Sequence, residues 1–96
     1  MDTITEDGTF TIDDKGVIHN IGQDFAAGFV VALGAITDAL SALAPGTMFG
    51  RWTDTDGTIY WDQVTILSDL DKALSLARAQ NEIAIWDLAE AKEIRC

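Results

Sequence analysis

A histidine at position 19, a cysteine at position 96 and 16 carboxylates are the side chains from which a chemical site could be built. His19 is the only histidine. Metal binding or acid–base work by an imidazole needs a second convergent group, and no spacing supplies one. It reads as a polar residue of a hairpin. Cys96 is the last residue and has no partner for an internal disulfide. It reads as an incidental thiol in a reducing compartment, although an exposed thiol could cross-link two copies. Asp54-x-Asp56-Gly57 resembles the centre of a calcium loop. The first ligand position would fall on Trp52, which cannot bind calcium, and the bidentate position on Gln63. Strand-like flanks make the segment a hairpin turn instead. Asp62 and Asp87 lie on predicted strands and could face each other as an acid–base pair, but solvation at a strand edge is the simpler reading. Ser41, Ser68 and Ser75 lack the Gly-x-Ser-x-Gly elbow, and no glycine-rich phosphate loop is present. The sequence thus predicts no catalytic residue, no metal site and no cofactor.

Aromatic side chains are the other candidates. Trp52, Tyr60 and Trp61, with Trp86 further on, are of the types that dominate protein-binding hot spots. Core packing is the competing explanation. A strong turn beside them places Trp52 and Trp61 near a hairpin end, so Trp52, Tyr60 and Trp61 form the candidate partner patch.

The elements that would position these groups follow from periodicity. In residues 8–20, Phe10 and Ile12 alternate with Thr9 and Thr11, and Asp13-Asp14-Lys15-Gly16 turns the chain into Val17-Ile18-His19. Residues 47–67 repeat the pattern around Asp54-Thr55-Asp56-Gly57. In the second arm, Ile59, Trp61, Gln63, Thr65 and Leu67 share one face, and Thr58, Tyr60, Asp62, Val64 and Ile66 the other. Residues 68–81 are an amphipathic helix: Leu70, Ala73, Leu74 and Ala77 recur at helical spacing, Ser68 with Asp71 resembles a capping box, and Asn81 is a left-handed terminator. Residues 82–88 read as a strand, and 89–95 as a final short strand or a helix.

Residues 24–44 read as a second helix, capped by Asp24 and ended before Pro45. Phe29, Leu33, Ile36, Leu40 and Leu43 form a bulky stripe; Gly28, Ala32, Ala35, Ala39 and Ala42 form a small one beside it. From Phe25 to Ile36 no polar side chain occurs, and a helix apolar all round is buried all round. That run is too short to cross a membrane, and extending it takes in Asp38. One small sheet covers one side of a helix, so the small stripe is expected to seat a second copy. The fold class expected is α+β: a single domain over 1–96, with 1–7 loose and a mixed, largely antiparallel sheet carrying two helices in the order ββαββαβ, with or without a last strand.

A formal net charge of −10 excludes sequence-independent binding to nucleic acid and favours basic partners. Carboxylates could also imitate phosphates to block a nucleic-acid enzyme. Against that, eight of the 16 sit where turns and helix starts already use them. The acidic start, Met1-Asp2-Thr3-Ile4-Thr5-Glu6-Asp7, is no secretory signal, which makes the cytoplasm the expected compartment.

Arg51-Trp52-Thr53-Asp54, Gly57-Thr58-Ile59-Tyr60-Trp61-Asp62, Asp71-Lys72-Ala73-Leu74-Ser75-Leu76-Ala77 and Ala84-Ile85-Trp86-Asp87-Leu88 follow one another in order. This series resembles a pattern in small uncharacterised proteins of phages that infect actinobacteria. The resemblance covers residues 51–95. It implies a viral or prophage origin, a host-cytoplasmic location and a non-enzymatic accessory role, and it transfers no functional residue. The expectation is a self-associating, acidic protein-interaction module with itself or a basic host protein as partner. A nucleic-acid mimic and a small-ligand binder or enzyme are the alternatives.

Overall fold

Short turns and alternating side chains fold most of the chain into one sheet. The computed structural model describes residues 4–96. Its strands are β1 (Gly8–Ile12), β2 (Ile18–Asn20), β3 (Phe29–Ala35), β4 (Met48–Thr53), β5 (Ile59–Leu67), β6 (Ala84–Asp87) and β7 (Lys92–Arg95). One α-helix, α1 (Leu70–Ala79), and single 3-10 turns at Gly22–Asp24 and Leu40–Ala42 complete it. The sheet order is β2-β1-β4-β5-β3-β6-β7, and every neighbouring pair is antiparallel. The molecule is α+β as expected, but with one helix and a wholly antiparallel sheet rather than two helices and a mixed, largely antiparallel one.

The expected helix over 24–44 is therefore corrected: its first half is β3, the strand between β5 and β6. A central strand covered on both faces is apolar on both faces, just as a buried helix is, so polarity alone does not separate the two. The small stripe dissolves with the helix. Gly28 precedes β3, Ala32 and Ala35 lie within it, and Ala39 and Ala42 lie in the segment after it. Gly28 has a positive φ of 129°, and a Cβ there would stand 2.9 Å from Ile66 Cγ2. Its spacing thus serves the chain's own packing.

A bulge then re-aims the strand. Ala32 pairs with Val64 but Gly34 with Gln63, so Leu33 is an extra residue, and Gly34 takes a φ of 154°. Without the bulge, Ile36 would continue on the Ala32 face. With it, Ile36 turns to the opposite face, joins the Phe10–Phe49 cluster and donates its N–H to Trp61 O at 2.8 Å.

Opposed register pairs share a face, which sorts the sheet into two surfaces. On one, α1 lays Ala73 and Ala77 on Val31 and Ile85, and Ile36, Leu40 and Leu43 cover Phe10, Ile12 and Phe49. The helix starts at Asp69, whose side chain accepts from Lys72 N at 3.1 Å, rather than at Ser68. It ends at Ala79, and Asn81 follows as the expected left-handed terminator, with a φ of 58°. β5 and β6 both run antiparallel to β3, so they are parallel to each other with β3 between them, and α1 is their crossover. Residues 92–95 are a strand, joined to β6 by a turn whose N–H groups at Ala89 and Glu90 donate to Asp87. Of the residues expected to be loose, 1–3 lie outside the described residues. Ile4 packs on the Phe10 cluster, and Asp7 accepts from Arg51 and Thr53. Among the described residues, no helix is long and apolar enough to cross a membrane.

Candidate functional site

The second face of the sheet carries a concavity of about 470 Å³, whose lining draws on six of the seven strands. Its floor is apolar and closely packed: Val30, Val64 and Gly50 are buried, with Ala32 half-buried. Gly50 keeps this floor low, because a Cβ there would come within 3.3 Å of Val64.

Aromatic walls rise from the floor. The turn at Asp54–Gly57 closes through Gly57 N to Asp54 O at 3.0 Å and Asp54 N to Thr58 O at 2.8 Å. That closure sets Trp52 opposite Tyr60. Their rings stack with centroids 4.5 Å apart and planes 16° from parallel. Trp52 also donates its indole N–H to Asp62 Oδ2 at 3.0 Å, which fixes the ring over the strand. Trp86 stands opposite Val30 and lines the concavity from β6. Trp52, Tyr60 and Trp86 remain 37%, 39% and 44% exposed, far more than rings of this size retain in a core.

Trp61, grouped with Trp52 and Tyr60 by the sequence, is turned to the covered face. It lies against Phe49, with ring centroids 6.5 Å apart, and beneath Arg51, whose guanidinium carbon is 5.8 Å from its ring centre. Arg51 donates in turn to Asp7 Oδ1 at 2.8 Å. The open face thus joins Trp52 and Tyr60 to Trp86 instead. The signal for this lay in the alternation of β5, which already sets Tyr60 and Trp61 on opposite faces.

Carboxylates ring the concavity: Asp7, Asp62, Glu82 and Glu93 all line it. Glu93 stands opposite Trp86 and makes a loose pair with Arg95 at 3.4 Å. Burial, and then the neighbouring Asp62 charge, push the Glu82 carboxyl above its ordinary range. Sequence reading missed Glu82 and Glu93, because strand-end acids look like ordinary solvated charges until their neighbours across the sheet are known.

The remaining candidates disperse. Asp87 lies on the covered face and is spent on its turn, so it does not meet Asp62. Asp54 and Asp56 accept backbone N–H groups within their own turn, and the bond from Thr58 holds the Asp56 carboxyl below its ordinary range. His19 Nε2 lies 2.9 Å from Asp13 Oδ2, bridging the two arms of the first hairpin beside its turn. Cys96 is exposed, beyond β7. Among the described residues, no three His, Cys, Asp or Glu side chains converge as metal ligands.

Comparison with known proteins found no matching family model, no similar curated protein and no similar solved structure.

Proposed function

We propose that this chain is a non-enzymatic protein-interaction module whose docking surface is the open, concave sheet face. The observation that carries this reading is the exposure of Trp52 and Trp86 over one apolar floor, with Tyr60 exposed and stacked on Trp52. Half-exposed tryptophans beside buried apolar residues are what a partner's side chains exploit when they exclude water. The resemblance of residues 51–95 to small phage proteins supports an accessory role acting on a host or virion protein. The expectation of self-association rested on a helix that one chain could not shelter. With β3 in its place, that argument lapses, and the docking surface becomes the aromatic face.

Phosphate mimicry has less support. Asp13, Asp54, Asp56, Asp69 and Asp87 each accept backbone N–H groups of their own turns and caps, so much of the acidity is committed locally. Binding of a small molecule has one observation in its favour, since about 470 Å³ is the size of a ligand pocket.

A photo-reactive residue placed at Ile83, which lines the concavity and is 62% exposed, tests the proposal without removing any of the three rings. In lysate of an actinobacterial host it should cross-link a discrete protein partner, whereas the same residue at Asp14, in the first hairpin turn, should not. Equal labelling from both positions, or none from position 83, would remove the docking reading.

A further inference from the structure

We infer that the occupant of the concave face is an arginine-bearing segment of a basic partner protein, with guanidinium groups laid on Trp52 or Trp86 and paired to Asp62 and Glu82. This rests on the docking reading above and specifies the chemistry of the partner. The lining holds four carboxylates against one cation, Arg51, and Arg51 is already bound to Asp7. Asp62 and Glu82 have no cationic partner among the described residues. Burial first, and the like charge of Asp62 second, disfavour the ionised form of Glu82. A cation between them would relieve that repulsion as well as gain its own attraction.

Charge decides against the other occupants. A second copy docked face to face would bring one acidic lining of Asp62, Glu82 and Glu93 against another. Nucleic acid would be repelled outright by a chain of net charge −10. An uncharged apolar segment would cover the rings but leave two carboxylates desolvated and unpaired.

Geometry favours arginine over lysine. A guanidinium is flat, so it can lie on an indole or phenol ring while its edge donates to a carboxylate; an ammonium is a point charge that is more tightly hydrated. The molecule already contains this arrangement in the open hand of its own chain: Arg51 lies over Trp61 and donates to Asp7. The concave face offers the same ring and carboxylate pairing with the arginine missing.

The test is titration of the full chain, followed by tryptophan fluorescence and calorimetry, with short Gly/Ser peptides carrying several arginines, lysines or citrullines. Citrulline keeps the planar shape and removes the charge. The arginine peptide should bind, the lysine peptide about threefold or more weaker, and the citrulline peptide about tenfold or more weaker. Trp86→Ala and Glu82→Gln should each weaken the arginine peptide about fivefold, with circular dichroism unchanged. Asp62→Asn, which keeps an acceptor for the Trp52 indole, should do the same. Binding of all three peptides alike, no binding, or binding indifferent to both Trp86→Ala and Glu82→Gln would overturn the inference. The two claims fail separately. If position 83 cross-links a partner that an excess of arginine peptide does not displace, docking stands and the arginine assignment falls. If neither partner nor peptide engages the concave face, both fall.

Discussion

The two faces of this sheet are cut from the same strands, yet they have opposite fates. Tyr60 and Trp61 are adjacent in β5. Trp61 is packed between Phe49 and Arg51 beneath the 36–44 segment, whereas Tyr60 stacks with Trp52 in the open. On the covered face, α1 and the Ile36–Leu43 stretch exclude water from Val31, Phe49 and Ile85. On the concave face, Val30 and Val64 are buried in the floor, but the aromatic rings beside them stand open to solvent and carboxylates crowd the rim. Aromatic content therefore says little about whether a strand residue supports the fold or meets a partner. The face it shares with its cross-strand neighbours decides, and that face follows from register.

The comparison predicts a large asymmetry in stability. Phe49→Ala on the covered face should cost about 3–5 kcal/mol, enough to unfold much of a domain this small. Trp86→Ala on the concave face should cost about 1 kcal/mol or less. Urea denaturation of both variants checks this, and similar losses would mean that the two faces are not distinct. Next in size is Gly28→Ala, expected to cost about 2 kcal/mol, because the substitution combines a positive φ with a close approach to Ile66. The same change at Gly34, where a Cβ meets open space, isolates the backbone contribution alone. Asp69→Ala should cost about 1 kcal/mol through loss of the helix cap on the covered side.

The smallest effect sharpens the contrast electrostatically. A carboxyl raised in the folded state binds its proton more tightly there than in the unfolded chain. Glu82 therefore lowers stability as pH rises from its ordinary value of 4.5 through the raised one, and not further beyond it. Glu82→Gln should remove that decline, so that the variant gains on the wild type across this window. Melting temperatures measured from below pH 4.5 to neutrality read it directly. A wild-type advantage at neutral pH would show that Glu82 is engaged in a favourable pair.

Much of the architecture was legible because its signals are local. Both hairpins, the helix with its terminator Asn81 and the strand around Ile85 follow from alternation, turn chemistry and helical spacing within a dozen residues. Residues 24–44 were not legible in the same way. Their four-three spacing of small and bulky residues fits a helix, and an unbroken apolar run fits a central strand equally well. What selects the strand is non-local: β5 and β6 need a partner between them, and Gly28 and Gly34 provide the entry and the bulge that fit one. The candidate site suffered from the same blindness. Trp52 and Tyr60 were visible in one hairpin, but Trp86, Glu82 and Glu93 join them only because β3 carries β6 and β7 onto the same side.

Peptide-induced chemical-shift changes across the amides and indole N–H groups of the isotope-labelled chain test the central claim most directly. With the arginine peptide, changes should concentrate on the Trp52 and Trp86 indoles and on the amides of Val30, Ala32, Gly50, Asp62, Val64 and Ala84. The helix at Leu70–Ala79 and the turn around Asp14 should stay still. Changes centred on that helix or on the first hairpin, or none at saturating peptide, would contradict the account.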